Sequence, residues 1–371
     1  MYWELYNGLD VGRCSARFYI RNIIRNFEAM KKFYCLLMYV LLVAGCTTEK
    51  SEIPDVSEDG GIEWTGSNQG SSTPEDTYKN ELVKIESQPN GIWLWSTHLD
   101  QWVADDCKVL KDMKKLGYEH ILLNYTAFED SAKETNTKKL IAAADKEGVI
   151  VHAWIQCFYD GNWVNPIEDL GGGKGRYKQE LFDQVIAKAN RYIEKFGVKG
   201  IHLDYIRFSG VGKNSGYKNN YENGVTAAGA VTEFCRQLNA NLDAGHPGTI
   251  ISAAMMPDKN GAGLYGQNPA HMSKYLDILM PMVYRYYANA VYDEAWMKSM
   301  CKYFTDAARC YVWAGIQTYE HIPGTENVKG LSTDRISSDA SVIRSTRCDG
   351  LVLFRYALGE YPDFTGFWIG R

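Results

Sequence analysis

The segment Gly200–Tyr205 reads GIHLDY. Apolar Ile201 and Leu203 alternate with His202 and Asp204, which is the pattern of a β-strand whose two faces meet different surroundings. We expect Ile201 and Leu203 to pack against helices and the other two side chains to point the opposite way. A carboxylate inside a buried strand is costly unless it is paired or used. The segment therefore predicts a core strand that carries a functional acid at its carboxyl end.

Seven further apolar runs resemble this strand in length, and most are nearly continuous in Val, Ile, Leu and Met, as strands buried on both faces are. They are Gly91–Trp95, His120–Asn124, Val149–Gln156, Thr249–Met256, Asp277–Tyr284, Tyr311–Gln317 and Gly350–Arg355. Amphipathic stretches separate them, at Asp105–Leu116, Lys138–Glu147, Gln179–Phe196, Ala227–Leu242, Asp293–Ala308 and Thr333–Ser345. Eight alternations of strand and helix favour a single α/β domain, a (β/α)8 TIM barrel, over a doubly wound open sheet.

Glycines mark several boundaries in this pattern. Gly117, Gly148 and Gly197 each follow a helical stretch, where a left-handed residue is expected to end the helix. Two glycine-rich stretches, Gly171–Gly175 and Gly210–Asn214, lack the complete phosphate-loop pattern. We expect both to be flexible loops that follow strands.

The composition narrows the class of protein. The chain has 371 residues, of which 45% are hydrophobic and 23% are charged, with a formal net charge of −5. That is too apolar for a disordered chain, and it lacks the basic excess of a nucleic-acid binder. We expect no nucleic-acid partner.

The region before residue 81 has the features of an export signal followed by a tether. From Met30 the chain reads MKKFYCLLMYVLLVAGC, in which two lysines and a short apolar run precede small residues and Cys46. This ending resembles the lipobox of bacterial lipoproteins, and the alternatives are an ordinary cleaved signal or a buried helix. We expect residues 1–29 to be an incorrectly assigned start, 30–45 a lipoprotein signal peptide, 46–80 a disordered tether and 81–371 the barrel. Lipidation at Cys46 predicts an outer-membrane lipoprotein at the cell surface or facing the periplasm.

Six cysteines follow Cys46, and neither their spacing nor nearby histidines form a metal-ligand pattern. They are Cys107, Cys157, Cys235, Cys301, Cys310 and Cys348. We expect no metal and no cofactor. An oxidising compartment permits a disulfide, for which Cys301 and Cys310 are the nearest pair in sequence, but buried reduced thiols are expected for most of the six.

The strand around Asp204 carries a family resemblance. GIHLDYIRF resembles the fourth-strand motif G-I-x-x-D-Y-x-R-F of glycosyl-hydrolase-like barrel proteins, which are common in bacteria and often lipoproteins. It is more distantly similar to the chitinase-like pattern D-G-x-D-x-D-x-E, in which Asp204 takes the last Asp and Ile206 stands where that family has its catalytic Glu. It is also similar to the amylase-like G-F-R-x-D, in which Asp204 matches the nucleophile. DILMPMVY resembles a sixth barrel strand that ends in a substrate-facing tyrosine, here Tyr284, and GLVLFRY resembles an eighth.

The resemblance implies glycoside hydrolysis, which generally uses two carboxyl groups. Asp204 is the first candidate, unless it forms a structural pair with Arg207. If the second carboxyl group is Glu320, after the seventh strand, the resemblance implies that Glu320 is the nucleophile and Asp204 the acid/base. If it is Asp258, after the fifth strand, the resemblance implies that Asp204 is the nucleophile. Asp160, after the third strand, is a further acid of this kind.

Aromatic and polar residues accumulate at the same strand ends, where barrel enzymes place their sites. Aromatic rings bind the C–H-rich faces of sugars, while amides and charged groups bind hydroxyls. The candidate substrate-binding residues are Trp95, Asn124, Trp154, Gln156, His202, Tyr205, Arg207, Tyr284, Gln317 and Arg355. The sequence thus predicts a glycosidase whose partners are a poly- or oligosaccharide and, through its lipid anchor, a membrane. The alternative is a non-catalytic glycan-binding barrel lipoprotein.

Overall fold

A computed structural model describes residues 85–87, 89–210, 220–287 and 290–369. The predicted start, signal peptide, Cys46 and tether lie outside the described residues. Eight parallel strands form a closed barrel, so the predicted (β/α)8 fold is confirmed. In barrel order the strands are β1 (Asn90–Leu94), β2 (His120–Asn124), β3 (Ile150–Gln156), β6 (Gly200–Asp204), β7 (Ile250–Met255), β8 (Ile278–Pro281), β9 (Tyr311–Gln317) and β12 (Gly350–Phe354).

Helices separate the barrel strands and cover the outside of the barrel. They are α1 (Leu99–Lys115, with non-helical dihedrals at Ala104–Cys107), α2 (Thr126–Glu129), α3 (Glu134–Glu147), α4 (Gln179–Phe196), α5 (Ala227–Gly245), α6 (Gly261–Tyr265), α7 (Pro269–Met272), α8 (Glu294–Ala307) and α9 (Thr333–Arg344). Gly148 and Gly197 end α3 and α4 in the left-handed conformation, with φ of 73° and 75°. In the described ranges, no helix combines the length and apolarity needed to cross a membrane.

The predicted strand limits are accurate to within a few residues, and the largest difference is at the sixth barrel strand. The run Asp277–Tyr284 predicts eight residues, but β8 ends at Pro281. Beyond it the chain turns, because the Val283 amide donates to the Pro281 carbonyl at 2.9 Å and the Tyr284 amide to the Met282 carbonyl at 2.7 Å. This turn places the Tyr284 side chain over the barrel mouth instead of continuing the strand.

Two hairpins extend the loops at the carboxyl ends of the strands. β4 (Ile167–Gly171) pairs with β5 (Lys174–Tyr177) after β3, and β10 (Tyr319–His321) pairs with β11 (Val328–Gly330) after β9. The expectation of a flexible loop at Gly171–Gly175 is therefore wrong. Its first three glycines have φ of 76°, 56° and 76° and form the tight turn that joins β4 to β5. Of the other stretch, Gly210–Asn214, only Gly210 is among the described residues.

Side chains alternate along each strand between two cores. Ile201 and Leu203 of β6 belong to the layer between strands and helices, whereas Trp93, Trp154 and Phe354 fill the inside of the barrel. Each fully buried side chain of this size contributes about 1.5–3 kcal/mol. The alternation consequently turns His202 and Asp204 inward.

Buried histidines occupy the lower part of the barrel interior. His202 Nε2 accepts a hydrogen bond from the Trp93 indole at 3.1 Å, so its proton is on Nδ1, which faces Ser252 Oγ at 2.9 Å. His120 Nδ1 and His152 Nε2 lie 2.8 Å apart. Burial lowers the pKa of His152 to about 3 and that of His202 well below its usual value, so both rings are neutral.

The six cysteines among the described residues form no disulfide. Cys301 is hydrogen-bonded to Cys348, and this bond and burial both raise the pKa of the Cys301 thiol. The Cys310 thiol donates to the Tyr311 carbonyl at 3.6 Å. The neighbour of Cys301 is therefore Cys348 and not Cys310. Cys348 lies in the short segment between α9 and β12, and α8, which carries Cys301, packs against α9.

Candidate active site

Asp204 is the last residue of β6 and points into the mouth of the barrel, where 9% of it is exposed. Its Oδ2 accepts a hydrogen bond from Trp154 Nε1 at 3.0 Å, and its Oδ1 accepts one from the Tyr205 amide at 2.7 Å. Tyr205 has a φ of 51°, and this left-handed conformation lies immediately after Asp204. The Trp154 indole and the Tyr205 amide thus hold one oxygen each of the Asp204 carboxylate.

Burial raises the pKa of the Asp204 carboxyl. The Tyr205 amide, the Arg207 charge and the Trp154 indole each lower it, but the effect of burial is larger. A carboxyl group with a raised pKa keeps its proton closer to neutral pH and is suited to donate it.

Arg207 does not form an ion pair with Asp204 within the described residues. Its guanidinium donates to the Phe208 carbonyl at 3.0 Å and lies 4.4 Å from the centre of the Trp163 ring and 5.5 Å from that of Tyr265. Its charge still lowers the pKa of Asp204. The structural Asp204–Arg207 pair considered from the sequence is therefore absent from the described residues.

Aromatic rings form the wall around the carboxylate. Phe354, at the end of β12, stacks on Tyr284 with centroids 5.3 Å apart and approaches Trp154 at 6.5 Å. Trp95 meets Trp154 edge to face at 5.5 Å and lies under Arg355, whose guanidinium is 5.2 Å from the Trp95 ring. The Trp95 indole nitrogen and the Tyr284 hydroxyl are buried and have no hydrogen-bond partner among the described residues.

A second group of rings surrounds Tyr205, the residue that follows Asp204. Tyr159 stacks on Tyr205 with centroids 4.7 Å apart, and Trp163 contacts both rings at 5.5 and 5.4 Å. Gln156, at the end of β3, lies opposite Asp204 in the strand register and is partly exposed. Two groups of rings therefore lie near Asp204, one that includes Trp154 and one that includes Tyr205.

Three of the predicted binding residues have structural roles instead. His202 is fully buried below the mouth, as described above. The Asn124 carboxamide oxygen accepts from the amide and hydroxyl of Thr126. Gln317 exchanges hydrogen bonds with the backbone of Tyr286 at 2.8 and 3.2 Å. Each of these side chains makes hydrogen bonds within the fold.

Two of the three acids considered for the second carboxylate, Glu320 and Asp258, have partners other than Asp204. Glu320, on β10, forms an ion pair of 2.7 Å with Arg335 of α9. Asp258, after β7, accepts from the Asn260 amide at 2.8 Å and lines a separate pocket. Neither makes a hydrogen bond to Asp204 within the described residues. In the same residues, no group of three His, Cys, Asp or Glu side chains could hold a metal ion.

Three contributors to the site were not identified from the sequence, namely Phe354, Tyr159 and Tyr265. The sequence pattern could have identified Phe354, because in GLVLFR it alternates with Leu353 and so faces the interior of the barrel. Tyr159 and Tyr265 lie in loops, where no periodicity shows the direction of a side chain. Their contact with Tyr205 and Arg207 results only from the folding of those loops.

Residues 173–304, about a third of the chain, match the model of a family described as a putative glycosyl hydrolase domain. The matched segment includes β6 and Asp204. The resemblance inferred from the fourth-strand motif is confirmed. No curated protein matches the chain.

Comparison of structures agrees on the architecture. The glycoside hydrolase domain of PgaB from Bordetella bronchiseptica superposes with a TM-score of 0.52 at 12% identity, covering 72% of this chain and 93% of that one. The spore cortex-lytic enzyme SleL of Bacillus megaterium superposes with a TM-score of 0.50 at 11% identity, covering 74% of this chain and 72% of that one. At these identities the likeness establishes the barrel fold alone.

Proposed function

We propose that this protein hydrolyses a glycosidic bond in a poly- or oligosaccharide at the carboxyl ends of its barrel strands. The observation that carries the proposal is Asp204, held inward by Trp154 and Tyr205 in an aromatic-walled mouth. The family match over residues 173–304 supports the same activity. Sugar rings present apolar faces to such walls, while their hydroxyls and glycosidic oxygens reach the polar groups between them.

In this proposal Asp204 protonates the leaving glycosidic oxygen as its bond to the anomeric carbon breaks, and a water molecule forms the new bond to that carbon and releases its proton to solvent. Burial supplies the raised pKa that a general acid needs, and the two hydrogen bonds keep the carboxyl group in one orientation. The Arg207 charge then stabilises the carboxylate left after proton transfer. Tyr284 and Trp95 present unpartnered buried donors at the mouth, which are suited to bind sugar oxygens.

One observation favours the alternative, a glycan-binding barrel without catalysis. Ile206 stands where the chitinase-like pattern has its catalytic Glu, and Ile206 is fully buried in the outer core. Glu320 and Asp258, which would have to supply the second carboxylate, have other contacts. Binding without hydrolysis would therefore need only the aromatic walls.

The deciding experiment is a glycan panel assayed for new reducing ends with the wild type and Asp204→Asn. We expect the substitution to lower the rate on every active glycan by at least about a hundredfold, the range of general acid catalysis. Glu180→Gln, an exposed carboxylate on α4, serves as the matched control and should retain the wild-type rate. Unchanged hydrolysis by Asp204→Asn would overturn the proposal. Glycan binding without hydrolysis by the wild type would establish the alternative.

We also propose that the protein is a lipoprotein anchored through Cys46 in the outer membrane, at the cell surface or facing the periplasm. The support is the sequence from Met30 to Cys46, with its lysines, apolar run and small residues before the cysteine. Metabolic labelling with a radioactive fatty acid tests it. The wild type should incorporate the label and Cys46→Ser should not, and equal labelling of both would refute the anchor.

A further inference from the structure

A second pocket opens beside the candidate active site. It has a volume of about 500 Å³ and lies between the loop after β7, helix α6, the loop after β8 and helix α8. Its lining includes Asp258, Tyr265, Tyr287, Tyr292 and Trp296. Since β7 and β8 end at the carboxyl edge of the barrel, the pocket lies on the same face as Asp204.

The aromatic walls run from Asp204 to this pocket. Tyr265 packs its ring over the Arg207 guanidinium at 5.5 Å, and its carbonyl accepts from the Phe208 amide at 2.9 Å. On the other side, Tyr284 belongs to the buried cluster inside the barrel, and Tyr287, which lines the pocket, packs against that cluster. Burial raises the pKa of Tyr284, and the adjacent Tyr319, Tyr287 and Asp204 raise it further. The pocket is thus continuous with the mouth through side chains on two sides.

The floor of the pocket is a stacked pair of rings. Tyr292 and Trp296 lie nearly parallel, with centroids 4.2 Å apart and planes inclined by 19°. Tyr292 is 37% exposed, and the preceding Val291 is 71% exposed. The Arg285 guanidinium donates to the Tyr292 carbonyl at 2.7 Å and forms an ion pair with the buried Asp339, which fixes the base of this loop. An exposed ring on a fixed base is a stacking surface that needs no reordering to bind a flat partner.

The polar groups of the pocket favour a neutral ligand. Asp258 uses Oδ1 to accept from the Asn260 amide, which leaves Oδ2 available to a hydroxyl donor. Lys259 also lines the pocket and balances the carboxylate charge. A hexopyranose matches this combination, because it offers an apolar C–H face to Tyr292 and hydroxyls to Asp258.

We propose that this pocket binds a sugar unit of the same glycan chain, displaced from the bond whose leaving oxygen Asp204 protonates, so that the protein recognises an extended neutral polysaccharide. The inference rests on the proposed function for the position of the attacked bond. It gives Asp258 a binding role in place of the catalytic role considered from the sequence. Affinity is then expected to rise with the length of the oligosaccharide until the chain reaches Tyr292.

The test measures binding in the full chain carrying Asp204→Asn, so that hydrolysis does not consume the ligand. Calorimetry compares di- to hexasaccharides of β-linked glucose, β-linked N-acetylglucosamine and α-linked glucose. We expect one series to bind more tightly as its length increases. Adding Tyr292→Ala should weaken the longest oligomer by about tenfold and the disaccharide by less. Tyr292→Phe should restore the affinity, since the ring is retained. Asp258→Asn should also act mainly on the longer oligomers.

The matched control is Tyr275→Ala, which should leave the length dependence intact. Tyr275 is a half-buried aromatic residue that precedes β8. The pocket proposal is overturned if no series binds, if affinity is independent of length, or if Tyr292→Ala weakens all lengths equally. Hydrolysis is scored separately with wild-type Asp204. Length-dependent binding that requires Tyr292, without hydrolysis, would support the pocket and refute the hydrolase.

Discussion

The Trp154 indole donates a 3.0 Å hydrogen bond to Oδ2 of Asp204 across neighbouring strands of the barrel. The residue opposite Trp154 in the register is His202, so the indole reaches diagonally towards the mouth to meet the carboxylate. This contact joins the aromatic wall to the acid. A change in the wall is therefore expected to alter the proton affinity of Asp204.

Trp154→Phe removes this donor and keeps most of the ring. Because a hydrogen bond to the charged form favours that form, its loss should raise the pKa of Asp204 further. If Asp204 is the general acid, the alkaline limb of the kcat/KM profile should move to higher pH. The control is Trp95→Phe, since the Trp95 indole nitrogen has no partner among the described residues. A displacement to lower pH, or equal displacements in both variants, would contradict the assignment.

Asp204→Asn should change how stability depends on pH. The folded-state pKa of Asp204 is raised by burial, so the folded chain keeps this proton to higher pH than the unfolded chain does. The wild type therefore loses stability relative to the Asn variant as pH rises from about 4 through the folded pKa, by about 1.4 kcal/mol for each pH unit that separates the folded and unfolded pKa values. Urea unfolding of both proteins across this range measures the difference. A difference that stays constant with pH would refute the raised pKa, whatever its absolute value.

Gly200→Ala should destabilise the barrel. A Cβ at Gly200 would lie 2.1 Å from His152 Nδ1, and His152 is fully buried against His120. Overpacking of this kind costs about 1–3 kcal/mol. Gly245→Ala, at the end of α5, is the matched control, because a Cβ there meets no atom within 4 Å. Chemical denaturation should show a clear loss for Gly200→Ala and none for Gly245→Ala. Equal stability of the two variants would mean that the interior tolerates the added methyl group.

Asp339→Ala should destabilise the protein strongly. Asp339 is 2% exposed and forms a 2.6 Å ion pair with Arg285, which also holds the Tyr292 carbonyl. Removing Asp339 leaves the partly exposed Arg285 guanidinium without its carboxylate partner, at a cost of about 2 kcal/mol. Asp306→Ala removes a surface carboxylate that pairs with Lys302 and Arg347, and should cost much less. Thermal unfolding compares the two, and similar losses would argue against a special role for Asp339.

The position of Gly200 explains why the motif begins with glycine. The period-two pattern of GIHLDY already showed which side chains share a face, because alternation is a local property of a strand. It did not show that the neighbouring strand brings the His152 ring to the place of a Cβ. That requirement depends on the register between β3 and β6.

The candidate site residues show the same contrast between what is local to a strand and what depends on distant contacts. Trp154, Tyr205 and Tyr284 were identified from their positions at strand ends, and the structure brings them to Asp204 or its aromatic wall. Asn124 and Gln317 occupy equivalent positions in the sequence, yet their side chains bind the backbone or side chains of adjacent loops. Position at a strand end is visible in the sequence, whereas competition for a hydrogen bond is decided by the path of the loop.

What the sequence determined by itself is the architecture and the inward direction of Asp204, since periodicity and helix-ending glycines act over a few neighbouring residues. What only the tertiary structure decided is which groups meet there. Trp154 reaches Asp204, Arg207 turns to aromatic rings, and Glu320 pairs with Arg335 because strands distant in the chain close into a ring and their loops fold over it. Burial raises the pKa of Asp204 for the same reason, because the exclusion of water is a property of the assembled barrel.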